Sequence, residues 1–332
     1  MRPVAVLYQA AAAPQSGGAL KPLKPGGYRD SGADIGYALK CANVPVVTPQ
    51  PDPAPDREEA WVFEDTAGGI AQAVAAGAEI LWANTTLYSG HPMVRWLGKI
   101  PVIGQEPQMV DHFEDKWVMH QWLEKGGYPV PQAVRTEIFD DLHWPEGEYA
   151  PVVVKPVRGR GSQGVVRADN LHELRRIIQN WEIGTYGAAV MAESYLPGQE
   201  VTVSVLPPGN YRGRKTRFVK GHHWALPPVI RQGHVDGIMP YSGVAPVAEN
   251  SAVANQVPQE LGNFVAQCES LADSLNTRGV VRIDGRQDGQ GIFRMVDVNF
   301  KPNLSGPGRP GRDGQTSLVA MAAEAAGWGL NQ

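Results

Sequence analysis

An α/β domain followed by α+β architecture is predicted from three features of the chain. Residues 1–105 alternate short apolar strands with Ala-rich helical segments, the rhythm of a small open sheet. Strands and helices after about residue 110 lose that regularity and read as α+β. Near the C-terminus, 280–303 reads as two apolar strands around the turn 287–291, with charged residues planted at regular intervals. With 332 residues, 42% of them hydrophobic, the chain can fill two or three cores. The expected division is 1–108, 109–199 and 200–332.

The first strand is expected at 4–8. The opening MRPVAVLYQAAAA also resembles a short signal peptide, but Gln9 interrupts the apolar run and no disulfide-dense domain follows. A helix is predicted over 31–40 with Ser31 as its N-cap. A strand at 44–48 runs into prolines at 49, 51, 53 and 55, which force an extended loop. A helix over 66–78 and strands at 79–83 and 101–103 complete the first part. One helix is predicted over 111–125, with Val118/Trp122 and Met119/Leu123 as i,i+4 pairs and Gly126-Gly127 as its stop. Strands follow at 152–155, 164–168, 188–193 and 200–206, with a helix at 171–180. The helix over 256–275 is the clearest, because Val257, Leu261, Phe264, Val265, Cys268, Leu271 and Leu275 keep the 3.6 period. A last helix is expected over 317–326.

Thirty Lys and Arg against 34 Asp and Glu leave a net charge of −4, which argues against a general nucleic-acid binder. No apolar run reaches the length of a membrane span. Two cysteines far apart, Cys41 and Cys268, fit neither a zinc site nor a disulfide framework. A reducing, cytoplasmic setting follows, with Cys268 in the core.

The hairpin carries the chemistry. Folding it about the bond between Gln290 and Gly291 sets Asp284 opposite Asp297 and Arg282 opposite Asn299. Two opposed carboxylates repel unless a hard cation sits between them. An arginine beside that cation can neutralise a transferred phosphoryl group. Upstream, Gly159–Gly164 matches G-x-G-x-x-G but lies between two strands, so it is no dinucleotide fingerprint. A strand–loop–strand of this kind can lay backbone amides over phosphates. Lys155, set in an apolar strand just before it, needs an anionic partner. The run 189–196 ends in an irregular linker able to meet a purine edge, and Glu200 can accept from ribose hydroxyls. The basic segment Arg212, Arg214, Lys215, Arg217, Lys220, His222 and His223 reads as a solvated loop or an electrostatic funnel.

Taken together, DKWVMHQWLEKGG, PVVVKPVRGRGSQGV, MAESYLPGQEVTVSVL and VVRID…VDVNFKPN resemble an ATP-grasp ligase of the D-alanine–D-alanine ligase type. The resemblance covers roughly 100–325 and implies the ATP-grasp fold behind an N-terminal open α/β domain. It implies ATP and two Mg²⁺ ions, or Mn²⁺, as cofactors. Lys116, Lys155, Gly161, Ser162 and Gln163 would contact phosphates, Glu193, Ser194 and Leu196 the adenine, and Glu200 the ribose. Asp284, Asp297 and Asn299 would hold metal. Arg282, with Lys215 or Lys220, would stabilise the transferred group, while Asn303, Ser305, Arg309 and Arg312 would face substrate.

The chain also departs from that family. Asp297 stands where Glu is usual. The Asn-x-x-Pro-Gly turn reads Asn299-Phe300-Lys301-Pro302-Asn303, which expects Asn303 in a left-handed conformation. The acidic substrate motif is replaced by Ala83–His91, so that Asn84, Thr85, Thr86 and Tyr88 would meet the substrate. Trp224, Arg231 and Tyr241 are expected to lid the pocket. The resulting expectation is an ADP-forming carboxylate–amine ligase acting on small molecules as a homodimer, without nucleic-acid or membrane partners. The alternatives are an ATP-grasp kinase, an acid–thiol ligase, or a nucleotide-binding regulator without turnover.

Overall fold

The computed structural model describes residues 1–15, 19, 21–137, 151–212, 217–240 and 247–329. The first sheet is parallel throughout. Strand β1 (Val4–Tyr8) pairs with β2 (Val46–Val47) and β3 (Val62–Glu64) along one side and with β4 (Ile80–Asn84) along the other; β5 (Val102–Ile103) lies outside β4. Helix α1 (Arg29–Cys41) packs on β1 and α2 (Ala67–Ala75) on β3. Thr66 caps α2, its Oγ1 accepting from Gly69 N at 3.0 Å. Ser31 is not the cap of α1. That position falls to Tyr28, left-handed at φ 67°, and the Ser31 hydroxyl donates to the Tyr28 carbonyl at 3.2 Å. The turn before it needs glycine: a Cβ on Gly27, at φ 58°, would lie 1.8 Å from the Gln9 carbonyl oxygen.

The single helix expected over 111–125 is two, α3 (Pro107–Phe113) and α4 (Lys116–Lys125). Asp115 starts the second, its Oδ1 accepting from Trp117 N at 2.9 Å and Val118 N at 3.1 Å. The capping carboxylate satisfies amides that the break leaves without helical partners, and it sets Lys116 at the first helical position. Val110, Met119 and Leu123 share one core with Leu7 and Ile70 of the first part and with Phe264 and Ile283 further on.

A four-stranded antiparallel sheet follows. It comprises β6 (Ala133–Glu137), β7 (Val152–Pro156), β8 (Val166–Ala168) and β9 (Ala189–Ser194), in the order β6-β9-β7-β8. Helix α5 (Leu171–Gln179) covers it, burying Leu174 and Ile178 against Val152, Val154 and Ala192; the short α6 (Ile183–Tyr186) follows. Strand β6 escaped the sequence reading because AVRTE carries little apolar signal.

The last sheet is antiparallel. Strand β10 (Glu200–Leu206) leads into the hairpin β11 (Gly209–Arg212) and β12 (Arg217–Lys220), and then into β13 (Trp224–Ala225), β14 (Val229–Arg231) and β15 (Ser251–Val253). Helix α7 (Gln259–Ser274) packs on β10, with Cys268 fully buried as expected; Val257, expected on the same stripe, precedes the helix and is exposed. Strands β16 (Val281–Gln287) and β17 (Phe293–Asn299) complete the order β15-β14-β10-β16-β17, and α8 (Leu318–Ala325) is capped by Ser317. Gly285 permits the helix to approach, since a Cβ there would meet the Phe264 ring at 2.1 Å. Among the described residues, no helix is long and apolar enough to cross a membrane.

Candidate active site

Strand pairing brings the hairpin residues together in the register expected. Arg282 lies opposite Asn299 and Asp284 opposite Asp297. The fold point is nevertheless displaced. Beyond Asp284 the register shifts by one, so that Gln287 pairs with Phe293, and an irregularity at Val296 restores the alignment at the site.

Each acid is already held by a cation. Arg282 grips Asp284 along its own strand, Nε to Oδ1 at 3.1 Å and Nη2 to Oδ2 at 2.7 Å, and Thr202 donates to Oδ1 at 2.7 Å. Lys116 pairs with Asp297. Burial alone would raise the Asp297 carboxyl, but Lys116, Lys155 and Arg282 bring it down to about 2. The same pairing holds the Lys116 ammonium above its ordinary range in spite of burial. The Asn299 side-chain oxygen accepts from Lys301 N at 3.0 Å.

Lys155, 6% exposed, has a protein partner: its Nζ donates to Glu193 Oε1 at 2.7 Å and to the Val296 carbonyl at 3.0 Å. Burial pushes the Glu193 carboxyl up, against the pull of Lys155. Glu200 shares a 2.8 Å hydrogen bond with His234 Nε2. Arg231, opposite Glu200 across the sheet, is buried at Nε with no hydrogen-bond partner among the described residues.

These groups converge on a cleft of about 630 Å³. Lys116, Lys155, Gly161, Ser162, Gln163, Glu193, Ser194, Leu196, Glu200, Arg282, Asp284, Asp297, Asn299, Asn303 and Ser305 all line it, together with Arg231. The loop between β7 and β8 forms one rim, with Gly161, Ser162 and Gly164 at φ 53°, 63° and 71°. Such left-handed residues turn successive amides toward one side.

Other expectations are corrected. Arg309 does not face the cleft. It is 2% exposed, donating from Nε to Asp34 Oδ1 at 2.7 Å, and Arg312 Nη2 reaches Asp34 Oδ2 at 3.2 Å. Both arginines fasten the loop before α8 to α1, because Asp34, with 0% exposure, requires a countercharge. Lys220 lies over the Trp224 ring at 5.2 Å, away from the cleft. Trp224 itself is packed with Tyr211, Phe218 and Trp328 and is no lid. His223 is bound to Asp273 and to the Thr277 carbonyl. Arg214, Lys215 and Tyr241 lie outside the described residues.

Asn303 is not left-handed. Its side-chain oxygen closes the turn instead, accepting from Ser305 N at 3.2 Å and Oγ at 2.9 Å. The Ala83–His91 stretch also turns inward. Asn84 donates to the Tyr28 carbonyl at 2.9 Å, Thr85 to Asp65 at 2.5 Å, and the Tyr88 ring meets His91. None of Asn84, Thr85, Thr86 and Tyr88 lines the cleft.

The sequence reading missed Lys21, Lys24, Tyr28, Arg160 and Lys301, which wall one end of the cleft. A signal existed for Lys301: it interrupts an apolar, turn-forming stretch just as Lys155 interrupts its strand. Burial and the neighbouring cations hold its ammonium well below the ordinary range.

Asp284, Asp297 and Asn299 offer, from one hairpin, the oxygen donors that a hard cation takes; Asp297 keeps an oxygen beyond the one Lys116 takes, whereas Asp284 would have to share its oxygens with Arg282 and Thr202. No group of three or more His, Cys, Asp or Glu side chains is assembled among the described residues. A cation there therefore depends on ligand oxygens to complete its shell.

Comparisons agree with this architecture. A family model described as the ATP-grasp domain matches residues 113–212. The D-alanine–D-alanine ligase of Halorhodospira halophila is 28% identical over 218 residues, 66% of this chain and 63% of that protein. The enzyme of that name from Stutzerimonas stutzeri is 28% identical over 227 residues, 66% of this chain and 62% of its own length. The match thus spans less than two thirds of these relatives. The Bacillus anthracis D-alanine–D-alanine ligase structure, complexed with ATP, aligns with a TM-score of 0.67 at 16% identity, covering 100% of this chain and 94% of that one. The D-Ala:D-Ser ligase of Enterococcus faecalis aligns with a TM-score of 0.62 at 13% identity, covering 100% and 96%. The chain has the ATP-grasp fold. Within that fold it resembles the D-alanine–D-alanine ligases.

Proposed function

We propose that the protein is an ADP-forming carboxylate–amine ligase. The observation that carries this reading is the convergence of the Asp284/Asp297 hairpin, Lys116, Lys155 and the strand-flanked glycine loop on one cleft. Phosphoryl transfer asks mainly for positioning and charge neutralisation, and those are the groups at hand. The loop amides at 161–163 and the two lysines bind the triphosphate. Ser194 and Leu196 meet the base and Glu200 the sugar. Asp284, Asp297 and Asn299 would hold Mg²⁺, two ions on this reading, which would supply positive charge to offset that of the phosphates.

A substrate carboxylate oxygen attacks the γ-phosphorus, the bond to the β-phosphate oxygen breaks, and ADP leaves. The amine nitrogen then attacks the acyl carbon. The C–O bond to phosphate breaks, phosphate leaves with that electron pair, and the amine proton passes to solvent. Arg282, fixed by Asp284, faces the negative charge that develops in both steps.

D-alanine is not the favoured acid. Beside Tyr28 the cleft carries Lys21, Lys24 and Lys301, and the two carboxylates there, Glu114 and Asp30, already pair with Lys21 and Lys24. The test is an ADP-release screen over amino acids and small acids, with mass spectrometry of products. Amide products with stoichiometric ADP support the reading. ATP binding without ADP release across the panel overturns it, and efficient D-alanyl-D-alanine formation from D-alanine alone overturns the exclusion of D-alanine.

A further inference from the structure

The end of the cleft beyond the hairpin is built around Tyr28. Lys301 Nζ stands 3.4 Å from the centre of its ring, Lys24 Nζ 4.9 Å and the Arg160 guanidinium 5.2 Å. Lys21 completes the wall. Two carboxylates answer these four cations: Glu114 pairs with Lys21, and Asp30 accepts from Lys24 at 3.2 Å. Lys301 Nζ and two nitrogens of Arg160, Nε and Nη2, are buried with no hydrogen-bond partner among the described residues. Contact with one ring does not offset the desolvation of several cations.

The backbone is also bent to make this place. Tyr28 is a bulky residue at φ 67°, presented by the Gly26-Gly27 turn, a left-handed conformation that L side chains adopt only under strain. A strained backbone beside cationic nitrogens that lack hydrogen-bond partners, at the wall of a cleft, suits an anion.

Resting on the ligase reading, we propose that Lys301, Lys24, Lys21 and Arg160 form a subsite for a second anionic group, carboxylate or phosphate, on the acid that the enzyme activates. Lys301 lies two residues past Asn299, so the subsite adjoins the hairpin. The preferred acid then carries one carboxylate for activation and another anion for anchorage.

Matched pairs test this: glutamate with glutamine and aspartate with asparagine, in both enantiomers, and O-phosphoserine with serine for the phosphate arm. Binding is measured by titration calorimetry with Mg²⁺ and the β,γ-imido analogue of ATP. ADP release is measured separately, with hydroxylamine as the nucleophile. The anionic member of at least one pair should bind about tenfold tighter or more, the scale of a charge-assisted hydrogen bond. Lys301→Met should erase that preference and leave affinity for the ATP analogue unchanged; Lys24→Gln, which removes an ammonium already paired with Asp30, should weaken it. Equal binding within every pair overturns the subsite. So does a Lys301→Met variant that loses the nucleotide instead of the acid, which assigns the cations to the triphosphate. A binding preference without ADP release from any acid leaves the subsite standing and overturns the ligase reading.

Discussion

Lys155 and Glu193, on the paired strands β7 and β9, form an ion pair of 2.7 Å with both side chains 7% exposed. Removing one partner strands a buried charge. Glu193→Leu should therefore cost about 3 kcal/mol of unfolding free energy, and Lys155→Met combined with Glu193→Leu should recover most of it. Urea denaturation of the single and double variants checks this. Additive losses would show that the pair is not coupled.

Asp297 stays ionised because three cations outweigh its burial. Asp297→Asn removes the charge and keeps the shape. ADP formation should fall at least about 100-fold, with the circular dichroism spectrum unchanged. Wild-type turnover at low Mg²⁺ would rule out Asp297 as a metal ligand.

The loop 158–164 joins two antiparallel strands. Its amides should exchange quickly in the free protein and slow on addition of Mg²⁺ and a non-hydrolysable ATP analogue. Hydrogen-exchange mass spectrometry gives the readout, and identical exchange with and without nucleotide would remove the loop from the phosphate site.

Arg309→Ala leaves the fully buried Asp34 facing only Arg312. Stability should drop by about 3 kcal/mol or more. Affinity of the folded protein for the ATP analogue should not change, because neither arginine reaches the cleft. A variant with normal stability and a selective loss of substrate affinity would restore the substrate-clamp role.

His120 is buried on α4 and stacks on Trp117 at 5.7 Å; burial, reinforced by Lys155, holds its pKa below the ordinary value. The folded state keeps the ring neutral while the unfolded chain takes a proton, so this contribution to stability is lost as pH falls below about 6.5. The thermal midpoint of the wild type should fall more steeply between pH 7 and 5 than that of His120→Gln. Parallel profiles would show that His120 does not titrate differently on folding.

Period and turn chemistry, both local, were legible from the residues alone. The alternation of charged and apolar positions in 280–299 and a short turn were enough to set Asp284 against Asp297. Glycines between two strands announced the loop at 158–164, and the 3.6 period of α7 announced its buried face. Periodicity says that a face is covered and not by what. Asp34 and Arg309 meet across 275 positions, and Lys301 meets Tyr28 across the cleft. Whether an arginine in a Gly-Pro loop clamps a substrate or pins a helix depends on which distant carboxylate is left without water when the sheets close. That desolvation exists only in the folded molecule, so the placements of Arg309, Arg312, Lys220 and Lys301 were decided by the tertiary structure.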